Sequence, residues 1–337
     1  MGRVLQTAAV SAVLVLLLWG FADVSTACSV CLAGDPVFST HGTSAQAEGD
    51  FSLFIQAQGW RKDSGLLPHE EEEEEEHHDD EHGEEAGSER NRSQRLDLFL
   101  AWTPVDRLTL TLDLPFAFNE IEEIEAGGST TNRLSGLGDV ALSGSYVLWR
   151  DREVLPSTWI EGRVFLKTPT GRTTRRKGGV IDPHLQTGTG SWDYGLGLAA
   201  VHRFDWGSFY TSAFYRMNEE GDFKDVDYEY GDVALFNLAL EVPLGHALGR
   251  KELEAVTLGG ELNYRWSDFD RADGEKFRDS GGSVLYATPS VRFRLPFSVR
   301  TRPVSLRIAV QLPVTSSWLN GDQDEKEVWM VGFTVPF

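Results

Sequence analysis

The sequence predicts an all-β chain, a transmembrane antiparallel β-barrel of about twelve strands with both termini on the periplasmic side. Three observations carry this. The last residues, Glu327–Phe337, place Trp329, Val331, Phe333, Val335 and Phe337 on one strand face, an apolar face that ends in a C-terminal aromatic. Period-two alternation of apolar and polar residues recurs along the rest of the chain. The connections between the alternating segments fall into a short class and a long class. A barrel can cross lipid because every backbone N–H and C=O finds a partner on a neighbouring strand, so only the outward side chains must be apolar.

Residues 1–27 read as a secretory signal. Arg3 supplies the positive start, Ala8–Phe21 an apolar run shorter than a bilayer span, and Ser25-Thr26-Ala27 a small-residue cleavage site. Cys28 directly after Ala27 makes a lipoprotein signal the rival, against which Ser25 stands where that motif wants an aliphatic residue. Residues 28–50 then form a periplasmic or plug segment that holds the chain's two cysteines, Cys28 and Cys31. Leu32 follows Cys31 where a c-type haem site needs His, and no βαβ pattern supports a thioredoxin-like pair. A disulfide suits the oxidising compartment. Soft-metal binding by the two thiolates, with His41 nearby in sequence, is the sharper alternative.

Alternation places the barrel at 51–337, with segments near 51–60, 92–103, 107–120, 136–149, 158–168, 191–203, 207–218, 231–243, 255–267, 283–297, 303–315 and 327–337. In the third, Leu108, Leu110, Leu112, Leu114 and Phe116 share a face and Arg107, Thr109, Thr111 and Asp113 the other. In the eleventh, Leu306, Ile308, Val310 and Leu312 oppose Ser305, Arg307 and Gln311. The connections Pro104–Asp106, Asp205–Trp206 and Ser298–Pro303 are short, whereas 61–91, Arg172–Gly190 and Glu219–Tyr230 are long and polar. This is the short-periplasmic, long-extracellular asymmetry of bacterial barrels. Gly245–Glu254 is the one long turn on the short side. Trp60, Trp102, Trp149, Trp159, Trp192, Trp206 and Trp266 fall near strand ends, where an interfacial aromatic girdle is expected.

With the apolar faces outward, the inward faces carry Arg95, Asp97, Arg107, Asp113, Glu161, Arg163, Lys167, Glu241, Glu261, Arg265, Arg292, Arg294 and Arg307. Neighbouring strands carry opposite signs, so ion pairs across the interior are expected. Two readings follow: pairs that fill and stabilise a narrow barrel, or a water-filled path whose field selects the permeant. Phe54, Phe99 and Phe165 also point inward.

The formal charge of −21 is uneven, because residues 69–86 alone carry more than half of the excess. Such a balance excludes nucleic acid as a partner. This acidic stretch, inside the 61–91 loop, also holds His69, His77, His78 and His82. Imidazole with carboxylate suits Zn²⁺, Ni²⁺, Co²⁺ or Cu²⁺, and carboxylate alone suits Ca²⁺ or Mg²⁺. Weak multi-site capture of a transition metal and a merely solvated acidic surface both fit the composition.

The basic run Arg172–Lys177 has no Gly-Lys-Ser/Thr element leading into a helix, so a nucleotide cradle is not indicated. It sits between Pro169-Thr170-Gly171 and Leu185-Gln186-Thr187-Gly188-Thr189-Gly190-Ser191-Trp192-Asp193-Tyr194-Gly195-Leu196-Gly197. Together with Gly136-Leu137-Gly138-Asp139-Val140, this pattern resembles the outer-membrane family called MetA-pathway of phenol degradation. The resemblance covers residues 95–337 in architecture, with its specific motifs in the fourth to sixth strands. It implies a passive transporter of aromatic or other hydrophobic compounds and supplies no catalytic residues. The acidic insert and the Cys28–Cys31 segment lie outside the pattern.

The expected function is therefore a passive outer-membrane channel or transporter for small solutes, with transition-metal ions captured by the acidic loop as one cargo and hydrophobic compounds as the alternative. Its partners are outer-membrane lipid, the barrel assembly machinery and the solute. The competing classes are an outer-membrane hydrolase, for which His202 is the one strand-borne histidine, and a structural or adhesive barrel.

Overall fold

The computed structural model describes residues 47–64, 88–125, 128–174, 176–177, 180–224, 226–321 and 323–337. Within them, twelve antiparallel strands close into one barrel. These are β1 (Phe51–Ser64), β2 (Ser88–Val105), β3 (Leu108–Glu125), β4 in two segments (Gly128–Leu137 and Ala141–Arg150), β5 (Thr158–Lys167) and β6 (Asp193–Arg203). The others are β7 (Ser208–Met217), β8 (Val233–Pro243), β9 (Val256–Ser267), β10 (Gly282–Val299), β11 (Arg302–Leu319) and β12 (Val328–Pro336). Each lies on a segment expected from alternation, except that the first half of β4, Gly128–Leu137, falls almost wholly before the expected 136–149.

Closure is made by the terminal strand. β12 pairs with β11 on one side and β1 on the other, from Ser52 opposite Pro336 to Gly59 opposite Trp329. The Phe337 N–H then donates to Phe51 O at 2.7 Å. Beyond β12, Gln323–Glu325 continue the pairing along the far end of β1. No sheet edge is left along this seam, which removes the template for pairing with another chain.

Period two decides the two surfaces. Leu98, Leu100, Leu114, Phe116, Leu142, Val164, Leu196, Leu198, Phe236, Leu238, Leu262 and Ile308 are exposed on the outer wall, where lipid rather than water is the solvent. Their neighbours one residue away turn inward and are buried, among them Asp97, Asp113, Arg163 and Arg307. β2, β3, β10 and β11 each run 18 residues, more than the 9–11 that roughly suffice to cross a bilayer. The excess on β2 and β3 is braced by charge: Arg90 bonds Glu122 at 3.2 Å and Arg92 bonds Glu120 at 2.8 Å.

Three expectations are corrected. Trp60 and Trp159 do not join the girdle, since both turn inward and are 6 % and 1 % exposed, while Trp102, Trp149, Trp192, Trp206 and Trp266 are exposed on the outside. Parity is the reason: Trp60 shares its face with Gln56 and Gln58, and Trp159 with Glu161 and Arg163, all buried. Arg107 is not a wall residue but occupies the β2–β3 turn at φ 72° and pairs with Glu153 at 2.7 Å. The fourth strand is not continuous. Opposite Pro115, which has no N–H to donate, β4 leaves the ladder at residues 138–140.

The connections β2–β3, β4–β5, β6–β7, β8–β9 and β10–β11 lie at the end where the barrel starts and finishes, here the turn end. The long β8–β9 turn folds into a short helix, Leu244–Leu248, and a 3-10 turn, Lys251–Leu253. The other connections lie at the opposite, loop end. Among them are a four-stranded sheet of Glu220–Asp222, Asp227–Glu229, Arg271–Ala272 and Glu275–Lys276, and a segment that turns back into the mouth.

Candidate permeation path

The inward charges are arranged as short-range pairs. Arg95 bonds Asp113 at 3.0 Å and contacts Asp97. Arg163 bonds Glu161 at 2.6 Å, Arg307 bonds Glu261 at 2.6 Å, and Arg265 pairs with Glu325. Lys167 pairs with Asp193 and lies 3.5 Å from Asp139. Arg292 bonds Glu241 at 2.8 Å, which also accepts from the Tyr210 hydroxyl at 3.2 Å. Arg294 is exposed, and no pairing for it appears among the described residues.

Uncharged rungs lie between these pairs. The Asn263 amide donates to Asn237 at 2.8 Å, Asn237 donates to Ser212 at 3.0 Å, and the Thr288 hydroxyl donates to Asn263 at 2.6 Å. Gln58 donates to Asp97 at 3.2 Å. Aromatic pairs complete the inner surface. Phe54 stacks on Phe99 at 5.8 Å, and Phe165 meets Phe214 edge-on at 6.1 Å. Phe214 lies in a notch that exists because Gly195 and Gly197 have no Cβ.

The motifs of the fourth to sixth strands converge on the break in β4. Asp139 accepts from Gly171 N at 2.8 Å, Thr189 N at 2.7 Å and the Thr189 hydroxyl at 3.0 Å. The freed backbone of β4 is re-satisfied from the same loop: Val140 N donates to Thr170 Oγ1 at 2.8 Å, and Thr168 N donates to Val140 O at 2.9 Å. The Thr187 hydroxyl donates to Leu137 O at 3.0 Å. Ser191 donates to Asp193 at 2.7 Å, which fixes the carboxylate that receives Lys167.

From there the chain bends inward at the loop end. Leu185 is 1 % exposed and packs between Ile121 of β3 and Leu134 of β4, both on the inner face. Burying a leucine there contributes about 1.5–3 kcal/mol. Asn119, held by the Ser93 hydroxyl at 2.7 Å, donates to Leu185 O at 3.2 Å and Gln186 O at 2.6 Å. On the other side, the Tyr230 hydroxyl donates to Pro183 O at 2.9 Å. The His184 ring lies edge-on to Tyr228 and Tyr230, with Nε2 at 3.8 Å from Asp270 and Nδ1 at 3.7 Å from Asp182. Burial pulls the imidazole pKa down, but Asp182 and Asp270 outweigh it and push the value up to about 10. Asp270 is held by Gly231 N at 2.8 Å and the Tyr228 hydroxyl at 2.7 Å, and its carboxyl lies below the usual range because these donors and His184 overcome desolvation.

The proposed metal ligands His69, His77, His78 and His82, with Cys28 and Cys31, lie outside the described residues, as does the signal region. Among the described residues no group of three or more His, Cys, Asp or Glu could hold a metal ion. His202 bonds the Thr158 hydroxyl through Nδ1 at 2.7 Å and packs on Phe204.

A closed wall with an apolar outer belt and a charged, polar interior defines a membrane-spanning β-barrel of the outer-membrane channel and transporter class. The chain belongs to the MetA-pathway of phenol degradation family, whose model matches residues 94–316. It is similar in fold to the COG4313 outer membrane channel from Pseudomonas putida F1, at TM-score 0.60 and 15 % identity over 91 % of this chain and 100 % of that one. More distant likenesses include the translocator domain of the autotransporter NalP from Neisseria meningitidis (TM-score 0.45, 10 % identity, 88 % and 91 % covered). Another is the toluene transporter TbuX from Ralstonia pickettii (TM-score 0.41, 10 % identity, 87 % and 90 % covered). No curated protein sequence matches the chain.

Proposed function

We propose that the protein carries small uncharged solutes with aromatic or other apolar parts downhill across the outer membrane, with its loop end outward and both termini in the periplasm. The observation that supports this most is the pairing of inward charges. Lys167, Arg163, Arg265 and Arg307 each sit against a carboxylate. Selection of an ion needs uncompensated charge along its path. The Phe54–Phe99 and Phe165–Phe214 pairs offer apolar contact to a solute instead. The apolar terminal strand, ending in Phe337, is the segment on which barrel assembly machinery would act.

Proteoliposomes test this reading. An uncharged phenyl glycoside, which lipid alone excludes, is expected to enter faster than benzenesulfonate of similar size, with weak ion conductance alongside. Strong conductance with glycoside entry no faster than in empty liposomes would overturn it.

The metal-ion reading of the same transporter rests on residues 69–86. In it, the acidic His-rich stretch gathers Zn²⁺, Ni²⁺, Co²⁺ or Cu²⁺, and Cys28 and Cys31 supply thiolates for a soft ion. Replacing His69, His77, His78 and His82 together by Gln is expected to weaken Zn²⁺ and Cu²⁺ binding in calorimetry and to spare Ca²⁺. Equal transition-metal affinity in the replaced protein would remove this reading.

A further inference from the structure

We infer that residues Asp182–Ser191 form a strap across the loop-end mouth of the barrel, held closed by a latch of His184 against Asp270. The inference takes from the functional reading only that solute enters at the loop end.

The strap is anchored on opposite walls. One side is fixed to β3 and β4, through Leu185 between Ile121 and Leu134 and through the Asn119 bonds to Leu185 O and Gln186 O. The other side is fixed to the β9–β10 connection, through Asp270, and to the β7–β8 connection, through Tyr228 and Tyr230. In a ring of twelve strands, β3 and β4 stand opposite β9 and β10. A segment touching both must cross the opening.

The two anchorages differ in kind. The first combines apolar burial with amide bonds to backbone at Leu185 and Gln186, and further along the strap Asp139 and Lys167 hold Thr189. The second joins the strap to separate loops by a hydroxyl bond and a charge contact. His184 faces Asp182 on its own turn, Asp270 from the β9–β10 connection, and Tyr228 and Tyr230 from the β7–β8 connection, with the Tyr228 hydroxyl 3.4 Å from Nε2. On the far side Asp270 has holds of its own that do not involve the strap: its carboxylate accepts from Gly231 N, and Asp270 N donates to Ser280 Oγ at 2.8 Å. The histidine contact is therefore the place where the strap releases its far side, after which Leu185 rests on the β3–β4 anchorage alone and its seat opens more often. The raised imidazole pKa keeps the latch charged at neutral pH. A raised folded value contributes stability that is complete below about 6.5 and is lost as pH climbs through about 10.

The test uses the full chain in lipid, with Cys28→Ser and Cys31→Ser removing native thiols and Leu185→Cys as reporter. Leu185 is buried beneath the strap, so labelling by a membrane-impermeant maleimide is expected to be slow at pH 7. His184→Gln and, separately, Asp270→Asn remove the charge contact, and each is expected to speed labelling by roughly fivefold or more, the scale of a typical coupling between sites. The same variants, without the reporter, are expected to raise glycoside entry. His184→Lys keeps a cation and is expected to retain slow labelling, which a loss of packing would not allow. Heat-modified gel mobility confirms that each variant has assembled. Unchanged labelling in assembled His184→Gln and Asp270→Asn would overturn the latch, and so would failure of both to assemble, which would make the contact a structural post. Glycoside exclusion by every variant would count against the transport reading alone, since the labelling still decides the latch.

Discussion

Lys167→Met is expected to lose about 3–5 kcal/mol of barrel stability, the usual cost of leaving a buried ionic partner uncompensated. The Lys167 ammonium is 9 % exposed and serves two carboxylates, Asp193 at 1 % and Asp139 at 5 % exposure, while donating to Thr189 Oγ1 at 2.6 Å. Methionine fills similar space and removes the charge, so both acids keep their backbone and hydroxyl donors but lose the cation that balances them. The gel temperature at which the folded band converts to the unfolded one is the measurement, in detergent at pH 7. A conversion temperature equal to that of the parent protein would show that the strands hold this region without the ion pair.

Gly188→Ala is expected to cost about 1–3 kcal/mol, the range for forcing a methyl into a filled site, and to displace the loop from Asp139. A Cβ on Gly188 would lie 2.6 Å from Asp139 Oδ1 and 2.6 Å from Gly171 Cα. The second contact is backbone and cannot rotate away. Gly260→Ala on β9 is the control, because a Cβ there meets nothing within 4 Å. Similar conversion temperatures for the two variants would mean that the loop accommodates the methyl, and that its tight approach to the broken strand is dispensable.

Much of the wall was legible in the chain because a membrane strand has one apolar face, and period two exposes it. Leu108 to Phe116 on β3 show this, as does the inward turn of Phe54, Phe99 and Phe165. The inward charges were legible as a set for the same reason. Their partners were less so. Arg265 meets Glu325, which lies just before the alternating terminal segment and carries no strand signal of its own. Trp60 and Trp159 lie near strand ends as the girdle residues do, but parity decides the face and turns both inward. The residues of the strap read only as turn geometry. Asn119 sits within an alternating run like any other inward polar residue, and Asp270 is far from His184 in sequence, so neither spacing nor composition joins them. Asp139 lies within the run Gly136–Val140, yet only the fold shows that it bonds residues 171 and 189.

The gap in β4 also fixes an order of assembly. Hairpins zip as each strand meets the one before it, but at residues 138–140 only Gly138 N finds that neighbour, at Pro115 O. Val140 N is satisfied by Thr170, 30 residues onward, and Asp139 receives Thr189 N, 50 residues onward. Contacts of that separation form late, since the intervening chain must be closed before they repay it. The first three strands can therefore join the membrane while the fourth is still incomplete, and the wall seals at that point only when the loop from β5 has returned to it.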